Sequence, residues 1–221
     1  MRQYENIYIK RFLYFNVYVI KGDNGDILID TGFIGIRKNL KKWLDNFNIK
    51  LVILTHAHVD HIWNVSYIKN LYGCEVAMGI NDICNIDNSK IKSKASKKRY
   101  NGWAKLMNLG MKKFVCDGFD VDILLEDNQI IKRYGIDLKI ISLSGHTSGS
   151  IGIIYKNYLF AGDALVYRGK YPEIAYQNQN NIDALKAYDK ILELYPDIVF
   201  VGHDKEILKD KLEICKIKRY P

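Results

Sequence analysis

The sequence predicts an α/β protein in which layers of β-sheet are covered by helices on their outer faces. Short apolar runs typical of strands recur along the chain and are followed by segments with helical spacing, and this order occurs in two rounds. The chain has 221 residues, of which 48% are hydrophobic, enough to bury a large core in one domain. We therefore expect residues 1–221 to form a single domain.

The first round begins with a predicted β-hairpin. Its strands, 14–20 and 26–30, flank Asn24-Gly25, a pair that tolerates the positive φ angles of a tight turn. Apolar residues at helical spacing then predict an amphipathic helix that covers a sheet: Ile36, Leu40, Trp43, Leu44 and Phe47. Three further elements complete the round: a buried strand at 51–55, a helix-like stretch to about Tyr72 and a short strand at 75–78.

The second round consists of strands followed by one helix and a last strand. Strand-like runs occupy 121–125, 129–133, 137–143, 151–155 and 158–162. A helix is indicated by the spacing of Ile182, Leu185, Ile191 and Leu192, and a final strand by 197–202.

Positive charge is concentrated in one stretch between the two rounds. The chain carries a net charge of +8, and the segment 82–118 contains nine Lys and Arg residues against three Asp. We interpret this segment as a basic insert. It is either a solvated helical face or a lid whose Lys97, Lys98 and Arg99 attract anions. We favour a small molecule as the substrate, and nucleic acid is the alternative partner because it binds positive charge.

The sequence also predicts the compartment. No apolar run approaches the ~20 residues of a membrane helix, and the N-terminus lacks the features of a secretory signal, so we expect a cytoplasmic protein without a membrane partner. Four cysteines without C-x-x-C spacing are expected to be reduced, structural thiols: Cys74, Cys84, Cys116 and Cys215. The sequence does not indicate an oligomeric state.

All five histidines lie just after predicted strands, where α/β sheets gather functional side chains. In THAHVDH, His56 and His58 can bind one cation, while Asp60 and His61 can face a second one. His146 in SGHTSGS could complete the first group, and His203 in VGHD the second. Asp163 in AGDAL could bridge both ions with its two carboxylate oxygens. Imidazole and carboxylate donors favour two divalent ions, with Zn preferred and Fe or Mn as alternatives.

Asp30 in IDTG has two interpretations. Its carboxylate could support a ligand imidazole by a hydrogen bond, or it could cap the following helix.

These motifs, in this order and spacing, closely resemble the metallo-β-lactamase superfamily. The resemblance covers the chain from Asn16 to about Lys211 and implies an αββα four-layer sandwich with a dinuclear site at one edge. It assigns His56, His58 and His146 to the first metal, Asp60, His61 and His203 to the second, and Asp163 to the bridge.

The complete donor set is similar to those of glyoxalase II, acyl-homoserine lactonases and tRNA 3′-processing ribonucleases. It differs from the commonest antibiotic-hydrolysing class, which has a Cys in the second site, so we do not expect drug resistance as the native role. Neither the C-terminal glutathione-binding domain of glyoxalase II nor the long arm of the ribonuclease is evident.

The resulting prediction is a metal-dependent hydrolase in which a metal-bridging hydroxide cleaves an ester, thioester or lactone bond of a small substrate, including an anionic one. Asp60 is expected to relay a proton. Substrate contacts are expected from Tyr167, Arg168 and Tyr171, which follow the bridging Asp163. The alternatives are a metal-dependent nuclease or phosphodiesterase and an oxidoreductase similar to the single-iron persulfide dioxygenases.

Overall fold

The computed structural model describes residues 2–12, 14–86, 116–167 and 171–212. Most of the basic segment therefore lies outside the described residues, together with Lys97, Lys98 and Arg99. Arg168 and Cys215 also lie outside them.

A seven-stranded sheet is formed by the first part of the chain. Its strands are adjacent in sequence order: β1 (Arg2–Tyr4), β2 (Ile7–Phe12), β3 (Phe15–Ile20), β4 (Asp26–Ile29), β5 (Ile49–Leu54), β6 (Glu75–Gly79) and β7 (Ile123–Leu125). The pairs from β1 to β4 are antiparallel, and those from β4 to β7 are parallel.

A six-stranded sheet is formed by the second part. It contains β8 (Ile130–Arg133), β9 (Ile136–Ser142), β10 (Ile151–Tyr155), β11 (Tyr158–Gly162), β12 (Ile198–Val201) and β13 (Ile207–Leu208), which are adjacent in this order. The pair β11 and β12 is parallel and the other pairs are antiparallel. As a result, β9, β11 and β12 run in the same direction.

Helices cover the outer face of each sheet. On the first sheet lie α1 (Arg37–Leu44), α2 (Val59–Ile62) and α3 (Val65–Tyr72), and a 3₁₀ helix spans Ile80–Asn85. On the second sheet lies α4 (Asn181–Leu194).

Three hydrophobic cores separate these layers, and strand alternation decides which core each side chain enters. In β5, Val52 and Leu54 pack under the helices of the first sheet, whereas Leu51 and Ile53 face the second sheet. The middle core joins the two sheets, and the third core lies beneath α4. This αββα order confirms the predicted fold class.

The predicted elements agree with the structure except at the ends of the sheets. Two strands, β1 and β2, precede the hairpin that was expected to open the fold, and β13 follows the strand that was expected to be last. The helix-like stretch to Tyr72 is divided into α2 and α3. β1 and β13 are short edge strands with too few residues to show a pattern, whereas β2 is a six-residue strand between β1 and β3.

The described thiols agree with the expectation of reduced cysteines. Cys74, Cys84 and Cys116 are free, and burial raises the pKa of both Cys74 and Cys116 to about 11. Across the described ranges, no helix combines the length and the apolar character required to cross a bilayer.

Candidate metal centre

The carboxyl ends of strands from both sheets meet at one edge of the sandwich. His56 and His58 follow β5, His146 lies between β9 and β10, Asp163 follows β11, and His203 follows β12. A backbone hydrogen bond joins the two sheets here: Ile151 donates its N–H to the carbonyl of Thr55 at 3.0 Å. The sandwich thus gathers side chains that are up to 147 positions apart in the sequence.

The THAHVDH segment changes from extended chain to helix within its own length. His58 has an extended backbone (φ −77°, ψ 145°) and directly precedes α2, whose first residues include Asp60 and His61. The turn of the helix moves Asp60 and His61 away from the direction of His56 and His58. One short motif therefore supplies donors to two neighbouring positions.

Three ring nitrogens converge at the first position. Nε2 of His56 lies 3.1 Å from Nδ1 of His58, and Nε2 of His146 lies 2.8 Å from the same atom. Imidazole nitrogens bound to one zinc ion are each ~2.0–2.1 Å from it, so atoms this close can share a cation. The first trio comprises His56, His58 and His146.

The second position is formed by Asp60, His61 and His203. Nε2 of His203 lies 3.3 Å from Oδ2 of Asp60 and 3.1 Å from Oδ2 of Asp163. Asp163 also approaches His61 and His146, with Oδ1 3.5 Å from Nε2 of His61 and Oδ2 3.5 Å from Nε2 of His146. The carboxylate of Asp163 is therefore placed between the two trios.

Unsatisfied buried atoms show that these residues fit a cation. Among the described residues, Nε2 of His61 and Oδ1 of Asp163 are both buried without a hydrogen-bond partner. Leaving such atoms unpaired costs free energy, and a divalent ion between them would supply the missing interaction. His56, His61 and Asp163 themselves form a third group of donor atoms within 4.8 Å of one another, which overlaps both trios.

Hydrogen bonds on the far side of three rings direct Nε2 of each ring towards the centre. The Thr55 hydroxyl donates to Asp30, so its oxygen can accept from Nδ1 of His56 at 3.0 Å. His203 donates from Nδ1 to the carbonyl of Tyr14 at 2.7 Å, and His61 from Nδ1 to Asp30 at 2.8 Å. Nε2 of each ring is then the atom available to a metal ion.

The two trios differ in charge when no ion is bound. Burial lowers the pKa of His56 well below its usual value, lowers that of His58, and lowers that of His146 to about 4. Burial acts in the same direction on His203, but the carboxylates of Asp163 and Asp60 outweigh it and raise the pKa to about 10. The first trio is therefore neutral at pH 7, whereas His203 is protonated.

The acidic residues have the complementary shift. Burial opposes ionisation of Asp60, yet the hydrogen bond from His203 and the charge of His61 lower its pKa to about 2. His203 and His61 likewise outweigh burial and hold the pKa of Asp163 well below its usual range. Burial also opposes the charged form of His61, but Asp30 and Asp163 raise its pKa well above the usual value.

One aspartate, Asp30, and one glycine, Gly202, shape the site although neither belongs to the two trios of donor residues. Asp30 accepts hydrogen bonds from His61 and from the backbone and hydroxyl of Thr55, so the structure places its carboxylate behind the His61 ring. The following helix, α1, has no side-chain cap. At Gly202, a Cβ atom would lie 2.2 Å from Oδ1 of Asp163, so only glycine leaves room for that carboxylate.

Sequence reasoning missed one polar residue of this region. Asp82 was counted only as the first residue of the basic segment, but its carboxylate is completely buried and contacts the loops of both His56 and His146. A buried aspartate has no local signature, because burial depends on which loops enclose it.

An apolar surface adjoins the second trio and was also missed. The ring of Phe15 lies 5.5 Å from that of His203 and 5.8 Å from that of Phe33, which in turn contacts Trp63 at 5.2 Å. Phe15 begins β3, Phe33 follows β4, and Trp63 directly follows α2.

Two of the three expected substrate-contacting residues pack against the third core. Tyr167 and Tyr171 are half-buried and pack against the third core. Their contact with substrate stays a prediction, as does that of Arg168.

Comparison with known proteins agrees with this architecture. The family model described as metallo-beta-lactamase superfamily matches residues 12–203. The Methanocaldococcus jannaschii protein named "Probable metallo-hydrolase MJ0888" is 31% identical over 157 residues, which are 70% of this chain and 68% of that protein. Hydroxyacylglutathione hydrolase GloC of Haemophilus influenzae is 28% identical over 166 residues, 72% of this chain and 70% of that protein.

A solved structure shows the same fold. BJP-1, a subclass B3 metallo-beta-lactamase of Bradyrhizobium japonicum, superposes with a TM-score of 0.70 over 92% of this chain and 76% of its own, at 20% identity. The family match spans both histidine-bearing halves of the sandwich. The chain accordingly belongs to the metallo-beta-lactamase superfamily, and it is a metal-dependent hydrolase.

Proposed function

We propose that this protein is a dinuclear hydrolase that cleaves an ester, thioester or lactone bond of a small substrate. One observation carries the proposal: the carboxylate of Asp163 lies within 3.5 Å of His61, His146 and His203, between two trios of donor atoms. A single ion would leave one of these trios without a cation to bind.

In the proposed arrangement, the first ion would be held by His56, His58 and His146, and the second by Asp60, His61 and His203. Asp163 would be shared between them. The donors are imidazole nitrogens and carboxylate oxygens, which suit Zn best and also accommodate Fe or Mn.

Two divalent ions in such a site would supply a hydroxide nucleophile at neutral pH and stabilise the leaving group. The protein would contribute the proton chemistry. Asp60 is ionised at neutral pH, and we propose that it relays a proton from the attacking water to the leaving oxygen or sulfur.

The surroundings support an organic substrate. The rings of Phe15 and Phe33 provide an apolar boundary beside His203, suited to an acyl chain or leaving group. A relative whose name describes hydrolysis of a hydroxyacylglutathione supports an acyl bond as the target. Tyr167, Arg168 and Tyr171 are proposed to orient the negatively charged part of an anionic substrate, because they follow Asp163 in the chain.

The test combines metal analysis with a substrate panel. Protein purified without added metal is analysed for bound elements and then assayed with lactones, thioesters, esters and phosphodiesters. The proposal expects two Zn, Fe or Mn ions per chain and turnover of an acyl substrate. A single iron with oxygen-dependent persulfide turnover, or turnover of phosphodiesters alone, would overturn it in favour of the dioxygenase or nuclease alternative.

A further inference from the structure

A buried carboxylate links the two loops that carry the first trio. Asp82 lies in the 3₁₀ helix Ile80–Asn85 and is 0% exposed. It is the first residue of the basic segment, but its side chain points into the protein.

Four donors surround the Asp82 carboxylate. Oδ2 accepts from the backbone N–H of Ala57 and the hydroxyl of Thr147, both at 2.8 Å. Oδ1 accepts from the backbone N–H of Gly149 at 2.9 Å and the amide of Asn85 at 3.0 Å. An ionised carboxylate offers about four lone-pair positions, so every acceptor position is used.

The partners of Oδ2 are next to metal-donor residues. Ala57 lies between His56 and His58, and Thr147 directly follows His146. One oxygen atom therefore connects the loop after β5 in the first sheet with the loop after β9 in the second sheet. The two loops supply all three imidazoles of the first trio.

Close packing leaves this connection little freedom. A Cβ atom at Gly149 would lie 2.2 Å from the backbone nitrogen of Asp82, and one at Gly79 would lie 2.3 Å from the carbonyl oxygen of Gly149. Ser148 adds a hydrogen bond from its hydroxyl to the carbonyl of Asn81 at 3.1 Å. The loops can approach each other this closely only because glycine occupies both positions.

We propose that Asp82 is a positioning residue that holds the His56–His58 loop and the His146 loop at the separation required by the first metal ion. This inference rests on the proposed dinuclear site and concerns the first trio alone. None of the four donors of Asp82 belongs to Asp60, His61, Asp163 or His203.

The experiment is a metal titration of the chelator-stripped protein and its Asp82→Asn variant. Asparagine keeps the shape but replaces one acceptor oxygen by an NH₂ donor, so two of the four donors lose their partner. Zn²⁺ is titrated against a chromophoric chelator, and ring NMR resonances of His58 and His146 identify the step that fills the first trio.

We expect the wild-type protein to bind two ions. In Asp82→Asn, affinity at the first trio should fall about 10–100-fold, the range typical for residues that support metal ligands, with the second step changed less than about threefold. The matched control is Asp26→Asn. Asp26 is also buried, at 3% exposure, and accepts from the backbone of Gly22 and Asn48, but at the opposite end of β4. The Asp26→Asn substitution should lower the stability of the protein without changing either metal-binding step.

A second pair of variants decides the question if Asp82→Asn does not fold. Thr147→Val removes one donor to Asp82 and should weaken the first step, whereas Thr147→Ser keeps the hydroxyl and should restore it.

The outcomes separate the two proposals. A wild-type protein that takes up no ion overturns the dinuclear site and the role of Asp82 together. If the wild-type protein binds two ions but the first binding step is unchanged in Asp82→Asn or Thr147→Val, only the role of Asp82 is overturned. Equal weakening of both steps, or the same weakening in Asp26→Asn, indicates general destabilisation and likewise overturns it.

Discussion

Oδ2 of Asp30 lies 2.8 Å from Nδ1 of His61, and each side chain is only 2% exposed. The contact holds the ring with Nε2 towards Asp163 and contributes to the raised pKa of His61. Asp30 also has a left-handed backbone (φ 58°), which aspartate and asparagine tolerate better than most residues.

These two properties make Asp30→Asn a test of the contact, and through the Thr55 hydroxyl the same substitution also reaches His56. The variant keeps the backbone conformation but removes the negative charge behind His61. We expect affinity for the second ion to fall about 10–100-fold. Isothermal titration of the metal-free protein measures this change, and an unaltered second binding step would contradict the supporting role of Asp30.

Asp163→Ala is expected to damage both metal positions, because it removes the carboxylate that approaches His61, His146 and His203. Metal content should fall from two ions per chain to at most one weakly held ion, with turnover lost. Elemental analysis after dialysis checks the content. Asp197→Ala, which alters a carboxylate before β12 at the opposite edge, serves as the control and should keep both ions.

Metal uptake should depend on pH at the second trio but not at the first. With a pKa of about 10, His203 is protonated at neutral pH in the metal-free protein, so an ion must displace a proton. Affinity there should rise about tenfold per pH unit for each proton released, between pH 7 and 9. His146, with a pKa of about 4, is already neutral over this range.

Calorimetric titration in buffers of different ionisation enthalpy counts the released protons at each step. Equal proton release at both steps, or none at either, would contradict the assigned difference between the trios.

The metal-free protein should lose stability as pH falls from about 6.5 to 4. In this window the unfolded chain protonates His146, whereas the folded protein keeps it neutral, so the free energy of unfolding decreases with falling pH. At about 1.4 kcal/mol per pH unit, His146 accounts for roughly 3 kcal/mol. The raised pKa of His203 affects stability in a different pH range. Its stabilising contribution to the free energy of unfolding is fully present below pH 6.5 and is lost as pH rises through about 10.

Urea unfolding at pH 7 and pH 4.5 measures the effect. His146→Gln should lose less stability than wild type between the two conditions, while His203→Gln should show the wild-type loss. An equal loss in the His146 variant would show that this ring does not carry the effect.

Neutralising Lys97, Lys98 and Arg99 together should raise the KM for an anionic substrate and weaken its salt dependence, because screening acts on exposed charge. Metal content should stay unchanged. The measurement is kcat/KM as a function of ionic strength, with a neutral substrate as the control. An unaltered salt slope would identify the basic segment as surface only.

The sequence by itself determined the layers and the types of donor. The succession of apolar strand-like runs and segments with helical spacing is local enough to be read along the chain. The histidine motifs carry their spacing in the sequence, so the family and its αββα fold could be predicted. The strands β1, β2 and β13 were not predicted. β1 and β13 have only three and two residues, too few to show a strand pattern, whereas β2 has the alternating burial of a strand and was missed.

Only the tertiary structure decided how the supporting residues act. Asp30 had two equal interpretations until folding brought it to His61, 31 positions away. Asp82 belonged to a basic segment in the sequence, yet it is buried between loops of two sheets. Tyr167 and Tyr171 follow Asp163 closely but pack against the core beneath α4. Burial and long-range hydrogen bonds arise from the meeting of separate segments, and a linear pattern does not contain that information.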